Sequence, residues 1–177
     1  KEASKIAKNI IYYRNIKKIK HTNELVKIIE KSKRKNFSNK INPCTKTFQA
    51  LRIFVNKEIT ELINGIINAT KKLKPGGKIL VISFHSIEDR IVKYFFSNYS
   101  KNKSRSSRYY PELYKEEPLF ENYRNQIIRP GQKELKENNP SRSAKLRFAT
   151  RSQDDFFYPK EFKKKFMNYL NLENKHV

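Results

Sequence analysis

The sequence predicts an α/β fold built on an open, mostly parallel sheet, and three observations carry that prediction. Ile79-Leu80-Val81-Ile82 is an unbroken apolar run, rich in β-branched residues and too short for a helix of its own. It reads as a strand buried on both faces. Pro75-Gly76-Gly77 places a turn before it. Ser83-Phe84-His85-Ser86 then leads into Ile87, Ile91, Tyr94 and Phe95 at helical spacing. Strand, polar loop and helix in that order place functional groups at the carboxyl edge of an open α/β sheet. Ser86 with Asp89 resembles a loose capping box, and Glu88 and Asp89 put negative charge in the first helical turn.

The elements before that unit are helical. Ala3, Ile6, Ala7, Ile10 and Tyr13 give residues 1–14 a helical stripe. After a basic connection at 15–21, Thr22 is placed to cap a second helix bearing Leu25, Val26, Ile28 and Ile29. Residues 31–40 read as a basic loop that is either a solvated linker or an RNA contact. Asn42-Pro43 breaks the chain, and Thr45 is placed to cap a third helix. Phe48, Leu51, Val55, Ile59, Leu62, Ile66, Ala69 and Leu73 predict that helix as one long core-facing element over 46–74. Gly65 within it costs only about 1 kcal/mol against alanine.

Beyond the central unit, residues 97–121 read as a long, partly mobile loop that includes Tyr109-Tyr110-Pro111. Tyr123–Ile128 is a candidate strand, 132–138 holds a helical turn, and Asn139-Pro140-Ser141-Arg142-Ser143 is a turn. Ala144-Lys145-Leu146-Arg147-Phe148-Ala149 alternates apolar and basic, predicting a strand with one basic face. It is placed to pair with 123–128 as an antiparallel hairpin. A short helix is expected over 160–171. No later segment supplies a second buried parallel strand, and the chain starts at Lys1 with Met167 as its only methionine. Both point to a piece of a longer protein whose other strands precede Lys1.

Composition narrows the partner. Lys plus Arg number 40 against 17 acids, a formal charge of +23, which favours a polyanion such as nucleic acid. Ten Tyr and twelve Phe interleave with the basic residues, as stacking on unpaired bases requires, although most of them serve a core equally well. One cysteine excludes an internal disulfide, and His21, His85 and His176 show no ligand spacing, so no metal site is expected. No run approaches membrane length and no signal peptide is present, so a cytoplasmic protein with no membrane partner is expected.

Among candidate site residues, His85 stands where a parallel strand ends and faces the usual crevice; a plain loop histidine bonded to backbone is the alternative. Ser83 is a second catalytic candidate, although serines there and at Ser86 also serve as turn and cap residues. Thr47, Gln49 and Arg52 crowd polar groups into the start of the long helix. Asp89 and Arg90 either pair locally or touch substrate. Arg142, Ser143, Lys145 and Arg147 cluster beside a turn, where basic groups meet RNA phosphates or simply face water.

Four blocks in order carry a specific resemblance. They are Asn42-Pro43-Cys44-Thr45-Lys46-Thr47-Phe48-Gln49-Ala50-Leu51-Arg52-Ile53, Pro75-Gly76-Gly77, Ser83-Phe84-His85-Ser86-Ile87-Glu88-Asp89-Arg90-Ile91-Val92-Lys93, and Asn139-Pro140-Ser141-Arg142-Ser143-Ala144-Lys145-Leu146-Arg147. Over residues 1–150 the chain resembles the bacterial small-subunit rRNA cytosine-N4 methyltransferases. The family pattern has His at Asn42, Ala at Cys44 and Arg at Lys46. The resemblance implies a Rossmann-like S-adenosylmethionine-dependent methyltransferase acting on 16S rRNA, free or in the assembled small subunit. Residues 1–42 would be the remainder of an inserted all-helical subdomain, 43–150 the C-terminal part of the methyltransferase domain, and 151–177 a basic tail. S-adenosylmethionine would be held mainly by an N-terminal half outside this chain, since no G-x-G occurs here, and the fragment alone would be inactive. A non-enzymatic basic RNA-binding or ribosome-associated module explains the charge but neither the apolar strand nor the Ser-Phe-His-Ser block.

Overall fold

The computed structural model describes residues 2–33, 42–104 and 118–174. Of the basic loop expected over 31–40, Lys31 and Ser32 are helical, and residues 34–40 lie outside the described residues, as do Tyr109-Tyr110-Pro111 and His176. The chain divides into two compact units, Lys1–Glu58 and Ile59–Val177.

The first unit is helical, as the stripes predict. Helix α1 (Glu2–Ile16) and helix α2 (Thr22–Ser32) pack together, with Asn9 Nδ2 donating to Ser32 Oγ at 2.7 Å. Ile6, Ile29 and Cys44 form the core of this unit, with Ile10, Leu25, Val26 and Phe48 against it. His21, not Thr22, holds the N-cap of α2, and the Glu24 carboxylate accepts from the backbone N–H groups of Lys20 and His21 at 2.8 and 3.2 Å. Those bonds hold Glu24 below the usual carboxylate range.

The long helix expected over 46–74 is two helices, α3 (Thr45–Val55) and α4 (Glu58–Lys72). Between them Asn56 caps α3 and Lys57 turns left-handed at φ 52°. The unbroken stripe hides this break because a single left-handed residue leaves no mark on hydrophobic spacing. The stripe also fails as a guide to burial in α3, which buries no residue and exposes Leu51 and Val55. In α4 it holds, with Ile59, Ile63, Ile66 and Ile67 buried. Glu173 caps that helix from far along the chain, accepting from Ile59 N–H at 3.1 Å, Thr60 N–H at 2.8 Å and Thr60 Oγ1 at 2.6 Å.

The second unit holds a two-stranded sheet. Strand β1 (Lys78–Ser83) pairs antiparallel with β2 (Lys145–Thr150), Ile79 opposite Ala149 and Ile82 opposite Leu146. Gly76 enters at φ 77°, and Gly76 and Gly77 exchange backbone bonds with Arg151 at 3.0 and 2.8 Å. Both strands lie where the sequence puts them, but the expected hairpin of 123–128 with β2 does not form. β1 pairs along one edge of β2, and on the other edge Ile128 makes an isolated antiparallel bridge to Leu146. Nor is β1 buried on both faces. One face, with Ile79 and Arg147, packs against helix α5 (Ser86–Asn98), whereas Leu80 and Ile82 on the other face are 60% and 59% exposed.

The remaining chain wraps the far end of α5. Phe95, Phe96, Phe120 and Phe162 are fully buried together, with Phe95 and Phe162 centroids 4.6 Å apart and Phe96 and Phe120 5.2 Å apart. The expected loop over 97–121 therefore ends in core, since Leu119 and Phe120 are wholly buried. Helix α6 (Gln132–Glu137) is the turn expected at 132–138. The expected tail helix is two short ones, α7 (Lys160–Lys165) and α8 (Met167–Asn174); Phe162, Phe166 and Leu170 there are buried. Among the described residues no helix is long and apolar enough to cross a membrane.

Candidate functional site

At the carboxyl end of β1 the chain turns from strand to helix through His85. The cap is one residue earlier than the sequence implied: His85, not Ser86, is the N-cap, and Glu88, not Asp89, closes the box. His85 Nδ1 accepts from Glu88 N–H at 3.3 Å, and Glu88 Oε2 accepts from the Phe84 and His85 N–H groups at 2.8 and 3.3 Å. A ring nitrogen that accepts is unprotonated, so in the neutral ring the proton sits on Nε2. That nitrogen is buried, lies 3.3 Å from Glu88 Oε1, and has no aligned hydrogen-bond partner. Ser83 is buried, and its hydroxyl reaches the Lys145 carbonyl at 3.4 Å.

The register sets Ser83 opposite Lys145, which gathers Ser83, His85, Arg142, Ser143 and Lys145 at one end of the sheet. Arg90, Arg142 and Ser143 are exposed there, and Arg142 Nη1 touches Asn139 Oδ1 at 3.4 Å. Lys145 is already engaged, its ammonium 3.2 Å from Asp89 Oδ2. Thr47, Gln49 and Arg52 belong to the other unit. Arg52 there forks onto Glu58 through Nε at 2.7 Å and Nη2 at 3.1 Å, across the α3–α4 break.

Arg147 overturns the expected basic face of β2. It is 2% exposed and sits under the sheet, bonded to Asp89 at 2.7 and 3.3 Å, to Tyr123 Oη at 2.9 Å and to Asn125 Oδ1 at 2.9 Å. Partial burial works to raise the Asp89 pKa, but the bonds from Arg147 and Lys145 outweigh it and hold the carboxyl below its usual range. Burial likewise opposes the Arg147 charge, and the bonds to Asp89 and Tyr123 more than offset it. Sequence reasoning missed this network. The one signal for it was a strand whose basic positions alternate with apolar ones, in a chain that also carries an acidic first turn after β1.

The helical unit carries a groove lined by Tyr13, Lys17, Lys18, Ile19, Lys27 and Lys31, with Glu24 and Ile28 completing it. Lys31 Nζ lies 5.3 Å from the Tyr13 ring centroid. Lysines around an aromatic and apolar floor suit a polyanion with flat bases. Cys44 offers no nucleophile here, since burial pushes its thiol pKa up. No glycine forms a cofactor cradle either. Gly77 is backed by Leu73, 2.8 Å from where a Cβ would stand, Gly76 is tied to Arg151, and Gly65 and Gly131 sit in α4 and at the cap of α6.

Comparison with known proteins bears on all of these residues but the last stretch. The model of the MraW methylase family matches residues 1–152. A protein of Ehrlichia chaffeensis named ribosomal RNA small subunit methyltransferase H is 45% identical over 148 residues, which is 83% of this chain and 46% of that protein. Proteins of the same name from Agrobacterium fabrum and Bartonella bacilliformis are 40% and 42% identical, over 86% and 88% of this chain and 44% and 46% of their own length. The chain spans about half the length of these curated relatives.

Proposed function

Since the chain belongs to the MraW methylase family, we propose that the intact protein transfers a methyl group from S-adenosylmethionine to the exocyclic N4 of a cytidine in small-subunit ribosomal RNA. The observation that carries this reading is the family match across residues 1–152, with relatives named for that rRNA at 40–45% identity. The charge of +23 and the lysine groove of the helical unit support an RNA substrate.

The chemistry sets the demands. The cytosine amino lone pair is conjugated into the ring and is a weak nucleophile. The enzyme must therefore hold that nitrogen in line with the sulfonium methyl and place acceptors on its protons, and orientation supplies much of the rate. The base must also leave its stack to be reached. In this reading His85 and Ser83 stand near the reacting base, and Arg90, Arg142, Ser143 and Lys145 meet RNA at the same end of the sheet; Thr47, Gln49 and Arg52 are RNA-contact candidates of the helical unit by itself. β1 and β2, with α5 packed on one face, are the C-terminal part of a Rossmann-like domain. The open apolar face of Leu80 and Ile82 supports further elements of the intact protein covering it. The methyl donor is held mainly outside these residues, as the resemblance over residues 1–150 implies. The 177 residues alone are accordingly expected to give no calorimetric signal with micromolar S-adenosylmethionine.

The test is in the cell. Deleting the gene should remove one N4-methylcytidine from small-subunit rRNA digests, and the intact gene should restore it. An unchanged nucleoside profile would rule the reading out.

A further inference from the structure

β2 has a second edge, and there the chain leaves a gap. Backbone groups of a strand point alternately to its two edges. Leu146 exchanges both of its bonds with Ile128, at 2.9 and 3.0 Å, so Phe148 and Thr150 face the same way, away from β1. The Thr150 carbonyl accepts from Glu121 N–H at 2.9 Å. Between these two tethers the segment 122–127 is longer than the stretch 147–149 it spans, and it bows outward. The bow is pinned. Asn102 pairs with the Tyr123 C=O and N–H at 2.9 Å each, and Arg147 holds Tyr123 Oη and Asn125 Oδ1 from beneath. Asn125 takes φ 54°, a conformation asparagine tolerates. The bow encloses a cleft of about 200 Å³ lined by Asn122, Tyr123, Arg124, Gln126, Phe148 and Thr150. Among the described residues nothing pairs with the Phe148 N–H or C=O.

We propose that this cleft binds one unpaired nucleotide of RNA, the Phe148 backbone reading the Watson–Crick edge of its base. The inference rests on the RNA-acting reading above. Every nucleobase offers an adjacent donor and acceptor on that edge, matching one residue's N–H and C=O, and a duplex hides it. One residue of open edge is too little to accept an added peptide strand, which needs a run of such pairs. Arg124 at the rim supplies a cation for the phosphate, and the Phe148 side chain supplies apolar surface for the ring.

The test uses the intact protein and short fluorescent RNA. An oligouridine should bind about tenfold more tightly than the same strand built from N3-methyluridine, whose Watson–Crick donor is gone. Gln126→Trp or Asn122→Trp, both at exposed positions, should fill the cleft and erase that difference, while binding of duplex RNA stays unchanged. Equal affinity for the two strands, or a difference that survives both substitutions, would overturn the cleft assignment and leave the RNA reading standing. No binding of any RNA would overturn both.

Discussion

Arg147 and Asp89 set up the sharpest test of the architecture, because their bond joins β2 to α5 and carries the bow at Tyr123 and Asn125 as well. Arg147→Met keeps the side chain's bulk and removes the charge. Asp89, whose side chain is 14% exposed, would keep only Lys145, itself 31% exposed, while Tyr123 Oη and Asn125 Oδ1 would lose their donor. Stripping one partner from a buried pair costs about 3–5 kcal/mol. With Lys145 still in reach, a loss near the low end, about 3 kcal/mol, is expected. Asp89→Asn should cost a similar amount, since it strands a buried guanidinium. Asp89→Leu combined with Arg147→Met should cost much less than the sum, because the buried charges are removed together. The pH dependence has a definite sign. Asp89 is held below its unfolded value of about 3.9, so its contribution is complete above that pH and is lost as pH falls through the lower folded value. Asp89→Asn should remove that part of the acid slope. Urea denaturation read alongside hydrogen exchange of the β2 amides measures both. A cost below about 1 kcal/mol for Arg147→Met, against the 3–5 kcal/mol of a buried pair, or an acid slope untouched by Asp89→Asn, would refute this role for the pair.

Three further outcomes rest on single contacts. Glu173→Ala should cost about 1–2 kcal/mol by uncapping α4, read as a fall in the urea midpoint; no change would mean the cap is dispensable. His85→Ala in the intact protein should lower methyl transfer more than RNA affinity, whereas His85→Asn preserves the N-cap at Glu88 N–H. If Asn restores full activity, His85 serves only as a cap. Arg142→Ala with Arg90→Ala should flatten the salt dependence of RNA binding by about 0.7 per lost phosphate contact, and an unchanged slope removes both from the interface.

Elements were more legible in the sequence than their partners. The Ile79–Ile82 run and the 144–149 alternation located both strands, and the α1, α2 and α5 stripes located those helices, because periodicity is a local property of the chain. Which strand lies beside β2 is not local: β1, far earlier in the chain, takes one edge, and the nearer candidate at 123–128 pairs with the other only at Ile128. The face of β2 was misread for the same reason. Charged side chains are almost never buried unless paired, and the partners that bury Arg147 lie 22 to 58 residues away. Lys57 shows a second blind spot, since a left-handed turn at a lysine leaves the spacing of Val55 and Ile59 undisturbed. In the candidate site, His85 was legible as a residue just past the end of a strand. Its capping bond to Glu88 was legible only as a box placed one residue too late.

The most direct measurement of the central claim is methyl transfer in vitro. Purified intact protein, methyl-labelled S-adenosylmethionine and small-subunit rRNA should yield label in N4-methylcytidine on nucleoside digestion and mass analysis. Label on another atom or none at all, from a folded protein that binds the RNA, would contradict it.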